Sequence, residues 1–212
     1  AESANKARIA ITLDLEMSRN FPTWEQTHWD YEKGNLDEPS KRYAVEAARR
    51  VRRAGGHVHF FVVGRVFAQE DVTWREELAE AGRPIGKRTC DHVDLLARTP
   101  AELQFRFRRA PWLLGGVSVR EAIAENIRLT EAAMHERIGV PLAGFRAPGG
   151  FAEGLGGRPD VQELLLAQGY RWASTKYPPH PNTAAGGSPD EAVFDEIVAA
   201  AAQAPPFTSP PG

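Results

Sequence analysis

The chain has 212 residues, 42% of them hydrophobic and 25% charged, a globular balance that excludes wholesale disorder and suits one sizeable core. Its 26 Lys and Arg face 28 Asp and Glu, a formal net charge of -2, so charge gives no ground for a nucleic-acid partner. The uncharged stretch 197–207 falls far short of the ~20 apolar residues a membrane span needs. The single cysteine, Cys90, excludes an internal disulfide and a multi-cysteine zinc ribbon. The N-terminal residues lack the charged leader and apolar core of a signal peptide.

In chain order, residues 8–15 form a β-branched run that reads as a buried strand, reaching polar ground at Asp14 and Glu16. A connection of roughly twenty residues follows, carrying Trp24, His28, Trp29 and Tyr31, and loops of that length are more often functional than idle. Residues 39–54 are helical in pattern, with a basic last turn before Gly55 and Gly56. The spacing predicts further strands over 57–63, 84–86, 142–145 and 170–174. Helices are predicted over 73–81, 119–137, 159–168 and 189–202. Strand and helix alternate, so the fold class is α/β with a mostly parallel sheet. Residues 205–212 form a Pro-rich tail after a single domain over 8–204.

In parallel α/β folds, chemistry collects at the carboxyl ends of the strands. Asp14 and Glu16 lie two apart at such an end, and period-two geometry points both carboxylates the same way while the strand persists. Two acids held together can bind a cation or split base and ligand roles, although a solvated acid pair is an equal alternative. His92 follows the third strand, where an isolated histidine is usually structural. Arg146 follows the fourth, where a forked guanidinium can clamp a carboxylate, and Gly149 and Gly150 let backbone approach a ligand closely.

These segments resemble, in order, the motifs of the polysaccharide deacetylase family, the NodB-homology fold of carbohydrate esterase family four. Thr12-Leu-Asp-Leu-Glu16 is similar to its first motif, Phe60-Phe-Val-Val-Gly64 to its second strand, and Ile85-Gly-Lys-Arg-Thr-Cys-Asp-His92 to its metal-binding motif. Phe145-Arg-Ala-Pro-Gly149 resembles the Arg-x-Pro-x-Gly motif, and Gly169-Tyr-Arg-Trp-Ala-Ser174 the following strand. The likeness spans roughly residues 8 to 177.

The resemblance implies an irregular (β/α) barrel, here cut short at its C-terminal side, and a hydrolase that removes acetyl groups from a carbohydrate. It implies a divalent metal, zinc first, that activates a water. Carried over by motif, Asp14 is the general base, Glu16 and His92 are metal ligands, Arg146 fixes Asp14, and the Gly149 N–H faces an oxyanion. Trp24, Trp29, Tyr31 and Pro148 are then candidate substrate contacts. The partner is a carbohydrate, with no nucleic acid and no membrane; the open barrel seam suggests a homo-oligomer, and the family favours a secreted or periplasmic setting. One departure stands out: Arg88 occupies the place of the first metal histidine, and a guanidinium has no lone pair to give a cation. Cys90 or His28 could replace that ligand. Two other readings remain open, a metal-poor carbohydrate-binding homologue and a C–N hydrolase of a small non-sugar amide.

Overall fold

A computed structural model describes residues 10–17, 34–80, 85–139, 144–176 and 190–202; the tail, the four loop residues Trp24, His28, Trp29 and Tyr31, and residues 81–84 and 140–143 lie outside them. Five strands form one sheet in the order β1 to β5: β1 Ile11–Leu15, β2 Val58–Val62, β3 Ile85–Lys87, β4 Phe145–Phe151 and β5 Ala173–Lys176. Every neighbouring pair is parallel, which requires a crossover between each two strands. The crossovers carry helices α1 Glu38–Arg53, α2 Trp74–Glu80, α3 Pro100–Leu103, α4 Phe105–Arg109, α5 Val119–Ile138 and α6 Pro159–Ala167; α7 Glu191–Ala202 follows β5. Among the described residues no helix is long and apolar enough to cross a membrane.

Local chemistry sets the helix ends. The Asp37 carboxylate accepts the Ser40 N–H at 2.8 Å to open α1, whose Ala44, Val45 and Ala48 form one buried stripe. A capping box of Ser118 and Glu121 opens α5, and Gly139, at φ 59°, closes it in the left-handed region that glycine tolerates. Two strands begin later than the spacing predicts. β4 starts at Phe145, where the predicted strand ends, because residues 145–151 pair with β5 through an irregular register. β5 starts at Ala173 because Tyr170 is spent on packing: it is buried edge-on against Phe145, 5.4 Å between ring centres.

Side-chain parity divides the sheet. Leu13 and Leu15 of β1, Val58, Phe60 and Val62 of β2, and Ile85 of β3 join α1 and α2 in one core under the helices. Phe145 and Ala147 of β4 join Ile123 and Ile127 of α5 and Val161 and Leu165 of α6 in a second. The alternate residues, Thr12 and Asp14, His59 and Phe61, Gly86, Arg146 and Ser174, share the opposite, concave face. Three of them prove the curl. Arg146 of β4 reaches Thr12 and Asp14 of β1, three strands away, at 2.9 and 2.8 Å. In a flat sheet those strands stand about 14 Å apart, beyond an arginine's reach. The sheet therefore bends into a half-barrel whose two edge strands approach one another.

Candidate functional site

The concave face is layered. At the amino end, His59 and Phe61 meet Trp172, with ring centres 5.3 and 5.9 Å from it. Gly86 makes room there: an added Cβ would lie 2.6 Å from both His59 Nε2 and the Phe61 ring. Burial first, and the Arg146 charge second, hold the His59 imidazole below its ordinary 6.5. The Arg146 guanidinium lies over the Phe61 ring, 4.0 Å from its centre. From that seat it donates to Asp14 Oδ1 at 2.8 Å, to Thr12 Oγ1 at 2.9 Å and to Ser174 Oγ at 3.2 Å. One side chain on β4 thus holds both sheet edges, β1 and β5.

Arg88 lies above this layer, 3% exposed. Its Nη1 donates to Asp14 Oδ2 at 2.8 Å and stands 2.8 Å from Glu16 Oε2. Its Nη2 meets the Ala147 carbonyl at 3.5 Å. Glu16 Oε2 is in turn 3.0 Å from His92 Nε2. The chain from Arg146 through Asp14, Arg88 and Glu16 to His92 joins residues that lie up to 132 positions apart: Asp14 and Glu16 at the carboxyl end of β1, Arg88 and His92 in the segment after β3, and Arg146 near the start of β4.

His92 takes a φ of 60°, a left-handed conformation costly for any residue with a Cβ. The preceding residues are fastened tightly enough to impose it. Arg88 N–H donates to Val62 O at 3.0 Å, Cys90 N–H to Asn126 O at 3.0 Å, and Asp91 N–H to Asn126 Oδ1 at 2.8 Å. The Asp91 carboxylate accepts from Arg65 and, at 2.8 Å, from Arg106, while Gln104 donates to its carbonyl. Arg106 of α4 is thus part of this fastening.

The remaining predicted site residues sort as follows. Gly149 is exposed at φ 81° within the irregular part of β4, and Pro148 beside it is buried. Cys90 does not join the cluster: its Sγ packs beside Gly64, where Thr130 of α5 also arrives, and burial pushes the thiol up to about 11. His28, Trp24, Trp29 and Tyr31 are outside the described residues. Sequence reasoning missed Thr12, Phe61 and Ser174, although their parity with Asp14 and Arg146 was the signal. It also treated Arg88 only as a missing ligand, not as the bridge between two carboxylates.

The donor set does not fit a divalent metal. Of the two expected ligands, Glu16 Oε2 stands 2.8 Å from Arg88 Nη1 and 3.0 Å from His92 Nε2, so a cation on that oxygen would lie against a fixed positive charge that already occupies it. The described residues hold no group of three or more His, Cys, Asp and Glu side chains suited to a metal ion.

No protein-family model and no curated protein matches the sequence. Among solved structures the chain is similar to a CE4 family pseudoenzyme from Bacillus anthracis, at 13% identity and a TM-score of 0.47, covering 80% of this chain and 43% of that one. It is similar to IcaB from Ammonifex degensii at 22% identity and a TM-score of 0.46, covering 66% and 55% of the two chains. A family 4 acetyl xylan esterase from Clostridium thermocellum, in complex with a cobalt ion, gives 16% identity and a TM-score of 0.36, covering 92% and 83%. The chain thus spans about half the length or less of the first two, and its likeness to all three is one of fold.

Proposed function

We propose that this chain carries a deacetylase-type carbohydrate site that recognises an acetylated saccharide and, with Arg88 in place, does not hydrolyse it through a metal-activated water. The observation that carries the reading is the position of Arg88 Nη1, 2.8 Å from both Asp14 Oδ2 and Glu16 Oε2. It ties up the carboxylate that the motif resemblance assigns as base together with the one it assigns as ligand. Support for a carbohydrate ligand comes from that resemblance and from the concave face itself. The face offers polar groups, Asp14, Glu16 and His92, gathered at one end, and a pocket of few, fixed polar groups suits the hydroxyls of a saccharide. A ligand of this kind fits a protein working outside the cytoplasm.

Calorimetric titration with a chitin oligosaccharide and an acetylated xylan fragment, alongside an acetate-release assay, tests the reading. Saturable binding without acetate release is expected, and absence of binding to both would overturn it. A second reading, hydrolysis of an acetyl amide or ester or of a small non-sugar amide, is favoured by the Asp14 carboxylate, one third exposed at the open end of β1. Acetate release above background, abolished by Asp14→Asn, would establish it instead.

A further inference from the structure

We infer that Arg88 is a tethered cation, a permanent substitute for a divalent ion, which holds Asp14 and Glu16 together and keeps metals out of this pocket. Two carboxylates anchored two residues apart at the end of one strand repel each other unless a positive charge lies between them. Arg146 satisfies only Oδ1 of Asp14 and makes no contact with Glu16 among its hydrogen bonds to described residues. The counter-charge shared by both acids is the Arg88 guanidinium, at 2.8 Å from each.

The chemistry of the side chain suits that place. A guanidinium stays protonated at any relevant pH, is more weakly hydrated than an ammonium, and offers a planar fork of donors. Those properties let it be buried to 3% exposure while bridging two acids and an amide carbonyl. The backbone is anchored as well, through the Arg88 N–H on Val62 O at 3.0 Å, which fixes the point from which the side chain enters the pocket. The neighbouring Lys87 projects to the other side of the sheet, against Glu131 of α5 at 3.6 Å, and supplies no charge to the pocket.

Two consequences separate a tethered cation from an ordinary ion pair. The wild-type pocket refuses a divalent ion, on steric grounds and because a unit charge within about 4 Å opposes it strongly. Removing the head group leaves two facing carboxylates and His92, a pocket formed for a cation but lacking one. Neither consequence depends on which ligand the concave face takes.

The test uses the tag-free chain, with Zn2+ and guanidinium chloride as probes. Zinc titration by calorimetry is expected to give no saturable site on the wild type. The Arg88→Gln variant, which removes the charge and keeps much of the bulk, is expected to bind Zn2+ at least about 100-fold more tightly, a gain lost on adding His92→Ala. For Arg88→Ala the readout is thermal: a lowered Tm, raised again by Zn2+ and by guanidinium at about 20 mM, with no such rise in the wild type or with equal NaCl. If Arg88→Ala fails to fold, Arg88→Gln decides the matter alone. Stoichiometric zinc binding by the wild type that requires His92 would overturn the inference. Equal zinc affinity in wild type and Arg88→Gln would overturn it too.

Discussion

Replacing Arg146 with methionine removes a side chain that spans the sheet from edge to edge. Methionine keeps the stem over Phe61 but loses the bonds to Asp14, Thr12 and Ser174 and the contact of charge with ring. The bond to Asp14 is charge-assisted, yet Asp14 is 33% and Arg146 20% exposed, so water screens it and the low end of the range, about 1.5 kcal/mol, applies. The cation–π contact adds about 0.5–1 kcal/mol, and the two hydroxyl bonds about 0.5 kcal/mol each, because both hydroxyls can turn to water. The expected loss is about 3 kcal/mol, equivalent to about 6–12 °C in Tm for a chain of this size. Urea unfolding followed by tryptophan fluorescence measures it. Arg146→Lys keeps the charge but reaches one edge at a time, so it is expected to fall about midway between wild type and methionine. A loss below about 1 kcal/mol for methionine, or no difference between lysine and wild type, would refute the idea that this guanidinium holds the curl.

Three further outcomes follow from buried groups. Folding lowers the proton affinity of His59 through burial and the Arg146 charge. As pH falls below 6.5 the unfolded chain therefore protonates first, and stability present above 6.5 is lost until the folded imidazole also charges. Urea midpoints between about pH 7.5 and 5.5 should fall less steeply in His59→Phe than in wild type, and equal slopes would contradict the assignment. Cys90, pushed from 9.0 to about 11, should carry about 100-fold less thiolate than an ordinary thiol. Ellman's reagent at about pH 8 should label it correspondingly slowly in the native chain and quickly in urea; native labelling within tenfold of the unfolded rate would be inconsistent with that burial. Gly86→Ala places a methyl 2.6 Å from His59 Nε2 and the Phe61 ring, which should destabilise by about 1–3 kcal/mol, and a neutral effect would show that the floor of the half-barrel yields.

Much of this architecture was legible because periodicity reports burial. The run at β1 and the pattern over 39–54 declared a strand and a helix through spacing. But β1 lies at a sheet edge, so Leu15 is buried while Ile11 stays exposed, and the expected buried strand is only partly so. Boundaries were less legible where tertiary contacts override propensity. Tyr170 is as good a strand residue as Ala173, yet it is used to pack on Phe145, and β5 begins three residues later. The short helix α3 escaped notice because four residues cannot show a helical period; Gln104, just after it, and Arg106 in α4 both meet Asp91. At the site, chain-distant partners such as Asp14 and Arg146 could be named from motifs at strand ends. What spacing could not give is distance. Nothing in the order of residues 85 to 92 says that Arg88 turns inward while Cys90 turns towards Gly64; that follows from how 88–92 is fastened to Val62 and Asn126.

The most direct measurement is a crystal structure grown with about 1 mM Co2+, with anomalous diffraction recorded at the cobalt edge. A metal at the 2.0–2.2 Å expected of carboxylate ligands cannot share the space of Arg88 Nη1. The account expects guanidinium density between Asp14 and Glu16 and no anomalous peak there. A peak bound by Glu16 and His92, with Arg88 swung out of the pocket, would contradict it.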